Sequence, residues 1–336
     1  MSALGVMVLL LAGVSRQAHG LPSNTLSIMS YNIMDSGFKD ASGRWDPVGD
    51  RVPGNLSNFM ASQSPFVDVL GLVETKSWRK WDSSAHPGYL SIAASWGYQH
   101  VHVRGNCAIL SHTPLEIIDE PNVGYSTIVA KVQNTIFIVT AMSCYSSKNK
   151  YKSFEALAKY VMKYKDEPLI LMGDLNAISP QDKPRYNETL LCGNGTYNKE
   201  TQSGEYVTNF CLKQVTSNGI QWKLDFKPMA SLLNNSDLID LCFVSGGFYD
   251  VDTDNLHYPM SDCGFSNPTL LIHMNGKLSK HYTGSHAQDH AMAKIDYILA
   301  NAKMLEKNRF HHTNVVKTLQ ADGCSDHYPI EAVFMD

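Results

Sequence analysis

The sequence predicts one large α/β domain, and three observations carry that expectation. Short runs of large apolar residues, of which 169–172 is the clearest, have the pattern of strands buried on both faces. Just ahead of that run, Phe154, Leu157, Ala158, Val161 and Met162 recur at the spacing of one helix face. With 336 residues and 43% hydrophobic content, the chain can fill one large core or two ordinary ones. It shows no internal repeat, and no linker divides it.

The first twenty residues stand apart. Residues 4–14 are almost wholly apolar, and Ala18, His19 and Gly20 place small residues where signal peptidase cuts, before Leu21. The only positive charge ahead of the apolar run is the terminal amine. That run is too short to cross a bilayer, which needs about 20 apolar residues, so residues 1–20 are expected to be a cleaved signal peptide. Residues 21–336 then form the mature, secreted chain, with no stable membrane span. Asn-x-Ser/Thr triplets at Asn55, Asn187, Asn194 and Asn234 fit a secretory route. The seven cysteines, at 107, 144, 192, 211, 242, 263 and 324, lack the paired close spacing of a zinc site, so disulfides are expected. Their odd number leaves at least one thiol free or paired outside the chain.

Loss of Arg16 with the signal takes the net charge from −4 to about −5 at neutral pH. A mildly acidic body does not draw polyanions from a distance, although a bound cation supplies positive charge locally.

In chain order, residues 27–33 read as the first strand, with Asn32 near its end. The Gly-, Asp- and Pro-rich stretch 35–54 is a loop leading to a weak helix at 56–62. Residues 67–73 form a second buried strand ending at Glu74. Trp78, Arg79, Lys80 and Trp81 follow on a loop, where tryptophans that pack the loop onto the body are the expected reading. Short strands are expected at 107–110 and 115–118, then a hairpin of 127–132 and 135–142 turning at Gln133 and Asn134. Ser153 is expected to cap a helix that leads through Pro168 into the strand 169–172, where Gly173 ends the strand and presents Asp174 and Asn176. Residues 178–293 are the least legible: polar, cysteine-bearing, with one amphipathic unit at 229–243, and expected as an insertion over the mouth of the site. His281, His286, Asp289 and His290 lie near its end, where Gly284 and the polar setting favour a solvated loop over a second metal site. A strand at 294–300 carries Asp296, and the last element begins with Ser325, Asp326 and His327.

Collected, the polar residues at strand ends are Asn32, Glu74, Asp174, Asn176, Asp296, Asp326 and His327. Carboxylates and amide oxygens without soft ligands favour a hard cation, Mg²⁺ or Mn²⁺, over zinc. Beside such a cation, Asp and His side chains orient water and stabilise charge on a phosphoryl group. The residues alone therefore point to a metal-dependent hydrolase of phosphate esters.

The order and wording of these segments resemble the endonuclease/exonuclease/phosphatase, or DNase I-like, superfamily. The resemblance is carried most specifically by Gly173-Asp174-Leu175-Asn176-Ala177 and Ser325-Asp326-His327-Tyr328-Pro329-Ile330. The stretches 30–33, 72–74 and 294–298 support it, and it spans nearly the whole mature chain. It implies a four-layer α/β sandwich of two packed mixed β-sheets flanked by helices, with the site at one end. It implies Glu74 as the main metal ligand, helped by Asn32 and Asp326, and Asp174 as the residue that orients or deprotonates water. Asn176 positions that water or the phosphate. His327, held by Asp296, donates a hydrogen bond to the phosphoryl oxygens.

One departure stands out. Members of the family commonly carry a His or Tyr where this chain has Ala141 and Met142, and a lost general acid or base costs about 10²- to 10⁴-fold in rate. Tyr145, three residues on, is a candidate substitute. The expected substrate is a phosphate ester, with nucleic acid, phospholipid and inositol phosphate all left open. A catalytically weak or inactive secreted binding protein on the same fold is the alternative. No pattern in the chain specifies an oligomeric state.

Overall fold

The computed structural model describes residues 25–33, 55–64, 66–75, 89–143, 147–186, 211–217, 219–245, 248–250, 255–257, 294–316, 325 and 327–335. Its strands in chain order are β1 (Thr25–Asn32), β2 (Val69–Val73), β3 (His100–Arg104), β4 (Cys107–Ser111), β5 (Leu115–Asp119), β6 (Ser126–Val132), β7 (Thr135–Ala141) and β8 (Leu169–Asp174). They continue with β9 (Cys211–Thr216), β10 (Gly219–Leu224), β11 (Leu238–Asp240), β12 (Phe248–Asp250), β13 (Asn255–His257), β14 (Asp296–Asn301), β15 (Arg309–Val315) and β16 (Ile330–Met335). The helices are α1 (Asn55–Gln63), α2 (Tyr89–Ser95), α3 (Ser147–Val161), α4 (Lys227–Asn234), α5 (Leu241–Ser245) and α6 (Ala302–Lys307).

Two six-stranded mixed sheets form, in the orders β15-β16-β1-β2-β4-β3 and β11-β14-β8-β7-β6-β5, and β9-β10 and β12-β13 are separate hairpins. The side-chain alternation of β8 explains its unbroken apolar run. Ile170 and Met172 join the core between the sheets, while Leu169 and Leu171 join the second core under the helices. Its parallel neighbour β7 divides the same way, with Phe137 and Val139 inward and Ile136 and Ile138 outward. Each such side chain contributes about 2 kcal/mol when it leaves water.

Phe154, Leu157, Ala158 and Val161 of α3 and Met229 and Leu232 of α4 cover the outer core of the second sheet. On the other side α1 supplies Leu56, Phe59 and Met60 and α2 supplies Ile92 and Ala93, with the Phe59 ring edge-on to Tyr31 of β1 at 6.0 Å. The result is helices, sheet, sheet, helices, which is the expected four-layer sandwich. The sheets approach closely where Gly71 of β2 faces Met172, since a Cβ on Gly71 meets the Met172 Cε at 2.7 Å.

Local expectations fare unevenly. The hairpin turns at Gln133, which takes φ 54. Ser153 is no helix cap. Helix α3 starts at Ser147, and the Ser153 hydroxyl donates back to the Asn149 carbonyl within it. The amphipathic unit 229–243 divides into α4, β11 and α5, because β11 pairs with β14 as an edge strand. Cys107 is a buried free thiol, and Cys211 and Cys242 are disulfide-bonded. No described helix is long and apolar enough to cross a membrane. The signal segment, Tyr145, Asp326, the cluster at 78–81 and the histidines at 281, 286 and 290 lie outside the described residues.

Candidate active site

Strand polarity gathers the polar strand ends at one end of the sandwich. β1 and β2 run parallel, so Asn32 and the residue after Val73 finish side by side. β14 runs antiparallel to β8 with Asp296 directly opposite Asp174, so the start of one strand meets the end of the other. β16 runs antiparallel to β1, which places the segment before Ile330, and with it His327, beside Asn32.

Backbone geometry at these ends is unusual. Glu74 and Asn176 take φ values of 61 and 49. Asn tolerates this left-handed region, whereas for Glu it is uncommon and is held only by surrounding structure. Gly173 takes φ 140, and a Cβ there meets the Thr140 carbonyl oxygen at 1.9 Å. Glycine is what lets β8 press against β7 just before Asp174.

Asp174 is the hub. Its Oδ1 accepts the Asn176 backbone N–H at 2.8 Å, and its Oδ2 accepts the side-chain amides of Asn176 at 2.9 Å and Asn32 at 3.0 Å. The Asn32 amide also donates to Glu74 Oε1 at 3.2 Å and lies 3.4 Å from His327 Nε2. On the far side of the imidazole, His327 Nδ1 is 2.7 Å from Asp296 Oδ2, which fixes the ring and directs Nε2 into the site. Asp174, Asp296 and His327 are buried, and Glu74 is partly exposed.

Burial first, and then the charge of Asp296, push Asp174 up to about 8, with Glu74 adding to the rise. The charge of His327 and the Asn176 N–H work in the opposite direction. One ligand atom from each of Asp174, Asp296 and His327 lies within 4.8 Å of the others. An excess of buried negative charge with oxygen donors at its rim fits a hard divalent cation. Cys107, although nearby in the core, is no nucleophile, because burial pushes its thiol up to about 12.

The six residues expected at the site and described here, Asn32, Glu74, Asp174, Asn176, Asp296 and His327, are thus brought together. Three contributors had no expected role. Ser325 donates to the Asn32 carbonyl at 2.6 Å and accepts the His327 N–H at 3.2 Å, tying the two strands at the site. The Met142 carbonyl accepts the Asn176 amide at 3.0 Å, and its N–H donates to the Asp174 carbonyl at 2.9 Å. Lys150 reaches the Asn176 carbonyl at 2.7 Å. Only Ser325 carried a sequence signal, its place in the motif ahead of Asp326. The Met142 side chain is wholly buried and brings no proton-transferring group to the position where the family's His or Tyr is expected.

Comparison with known proteins agrees with this fold. The chain is similar over 92% of its length to an AP endonuclease from Archaeoglobus fulgidus, at 17% identity and TM-score 0.52, covering 99% of that chain. It is similar over 95% to the AP endonuclease LMAP from Leishmania major, at 12% identity and TM-score 0.54, covering 90% of that chain. A third similar structure is D. rerio TDP2 complexed with single-strand DNA product, at 12% identity and TM-score 0.50, covering 93% of this chain and 99% of that one. No curated protein matches the sequence. These likenesses show the fold. The family model of the endonuclease/exonuclease/phosphatase family matches residues 29–327, and the chain belongs to that family.

Proposed function

We propose that this protein is a secreted hydrolase of phosphate esters that works with a divalent cation, Mg²⁺ or Mn²⁺. Hydrolysis of phosphate esters is the usual chemistry of the family. The observation that carries the reading is the hydrogen-bonded set Asn32–Asp174–Asn176 facing the His327–Asp296 pair. Secretion is supported by the apolar segment 4–14 and by the disulfide-bonded Cys211 and Cys242.

Glu74, with the oxygens of Asn32 and Asp326, would hold the cation. When bound, it neutralises charge on the phosphoryl oxygens and the leaving oxygen. Asp174, fixed by two amides, orients the attacking water and takes its proton. Asn176, anchored on the Met142 carbonyl, keeps the carboxylate in place. His327, oriented by Asp296, presents Nε2 to the phosphoryl oxygens as charge builds there.

A second reading is supported by Met142: a secreted binding protein on the same fold, left slow or silent by the missing His or Tyr. One experiment separates the two. Purified protein is assayed on bis-p-nitrophenyl phosphate, DNA, sphingomyelin and inositol phosphates with Mg²⁺, with Mn²⁺ and with EDTA. Turnover that needs the cation and disappears in Asp174→Ala supports the hydrolase; folded protein that is silent on every substrate supports the binding protein. Turnover surviving Asp174→Ala overturns the assignment of the water-handling residue, and Tyr145→Phe tests the candidate substitute in the same assay.

A further inference from the structure

Helix α3 approaches the site from behind, and one of its side chains is out of character there. Lys150 is 3% exposed, and its ammonium donates to the main-chain carbonyl of Asn176 at 2.7 Å. A buried ammonium is costly to desolvate, and an apolar residue would pack at that position more cheaply. The carboxylate of Asp225, ahead of α4, feels the Lys150 charge, so part of that cost is offset electrostatically.

What the ammonium grips matters more. Asn176 holds a left-handed φ of 49, the residue whose side chain donates to Asp174 Oδ2. The direction of its N–H is fixed by Asp174 Oδ1, and the direction of its carbonyl, which ψ sets, is fixed by Lys150. With both flanking peptides held, the Cα–Cβ bond has one direction, and it aims the amide at Asp174. The next carbonyl, of Ala177, is held in turn by the Tyr297 hydroxyl at 3.0 Å.

We propose that Lys150 is a positioning residue for the reaction: its buried ammonium on the Asn176 carbonyl holds the left-handed backbone that aims the Asn176 amide at Asp174. Lys150 acts through Asn176, whose carbonyl it holds. Its kinetic consequence rests on the hydrolase reading, whereas its effect on the Asn176 backbone does not.

The test uses the full chain as Lys150→Met, Lys150→Arg, Asn176→Ala and the Lys150→Met/Asn176→Ala double variant, with Lys150→Gln where the Met variant fails to fold. Hydrogen exchange at the Asn176 amide, without metal or substrate, is expected to quicken about 10- to 100-fold in Lys150→Met, the range for a lost hydrogen bond to a charged group. Lys150→Arg is expected to restore protection. On a turned-over ester, kcat is expected to fall about 10-fold or more with KM changed less than about twofold, and the double variant to be no slower than Asn176→Ala alone. Unchanged exchange, or losses that multiply in the double variant, would overturn the proposal. A chain inactive on every ester overturns the hydrolase reading, while the exchange result still decides the role of Lys150.

Discussion

At the scale of single residues, the site is a set of side chains each fixed by a neighbour on a different strand. Asp296 is an example: its contribution is the direction of the His327 ring. Asp296→Asn keeps the volume and removes the charge that holds Nδ1–H, so kcat is expected to drop about 10²- to 10⁴-fold with the fold intact. Steady-state kinetics beside circular dichroism check this, and near-native kcat would deny the pair a catalytic role. Gly173 poses a different constraint. An Ala there brings Cβ to 1.9 Å from the Thr140 carbonyl oxygen at φ 140, so β8 must move away from β7. Gly173→Ala is expected to cost about 3 kcal/mol or more in denaturant unfolding.

At the scale of elements, positions depend on contacts that sequence spacing does not encode. Lys294 illustrates this. It lies two residues ahead of Asp296, is 1% exposed at its side chain, and pairs with Asp182 at 2.6 Å and Asp240 at 2.7 Å. Burial alone would lower its pKa, and the two carboxylates reverse that and raise it. The triad ties the short 3-10 helix Pro180–Arg185 and strand β11 to the start of β14. Lys294→Met leaves two buried carboxylates uncompensated, so a loss of about 3–5 kcal/mol is expected in chemical denaturation. A loss under about 1 kcal/mol would show that the triad does not hold these elements together. Such ties explain which parts of the fold were legible. β8 was readable because burial on both faces leaves an unbroken apolar run, and the polar strand ends were readable because each interrupts such a run. β3 was missed because His100 and His102 on an edge strand break the apolar pattern. The start of α3 was missed because its first turns are polar, and Lys150 among them looks like any solvent-facing lysine until the fold buries it.

At the scale of the whole molecule, concentrating carboxylates at one end of a dry sandwich has a cost that depends on pH. The folded state raises Asp174 from 3.8 to about 8, so it binds a proton more tightly than the unfolded chain does. The stability that proton contributes is fully present below about pH 4 and is lost as pH rises through about 8. The cation-free protein is therefore expected to melt at a lower temperature at about pH 9 than at about pH 5. A divalent cation competes with the proton for the same excess of negative charge, so Mn²⁺ or Mg²⁺ is expected to raise the melting temperature more at the higher pH. Asp174→Asn carries no ionisable group there, and its melting curve is expected to lose most of both dependences. Differential scanning calorimetry of the stripped protein and the variant, with and without the cation, measures all three effects. Melting temperatures equally sensitive to pH in wild type and Asp174→Asn would place the acidic strain elsewhere in the molecule, and with it the reason for the site to take a cation.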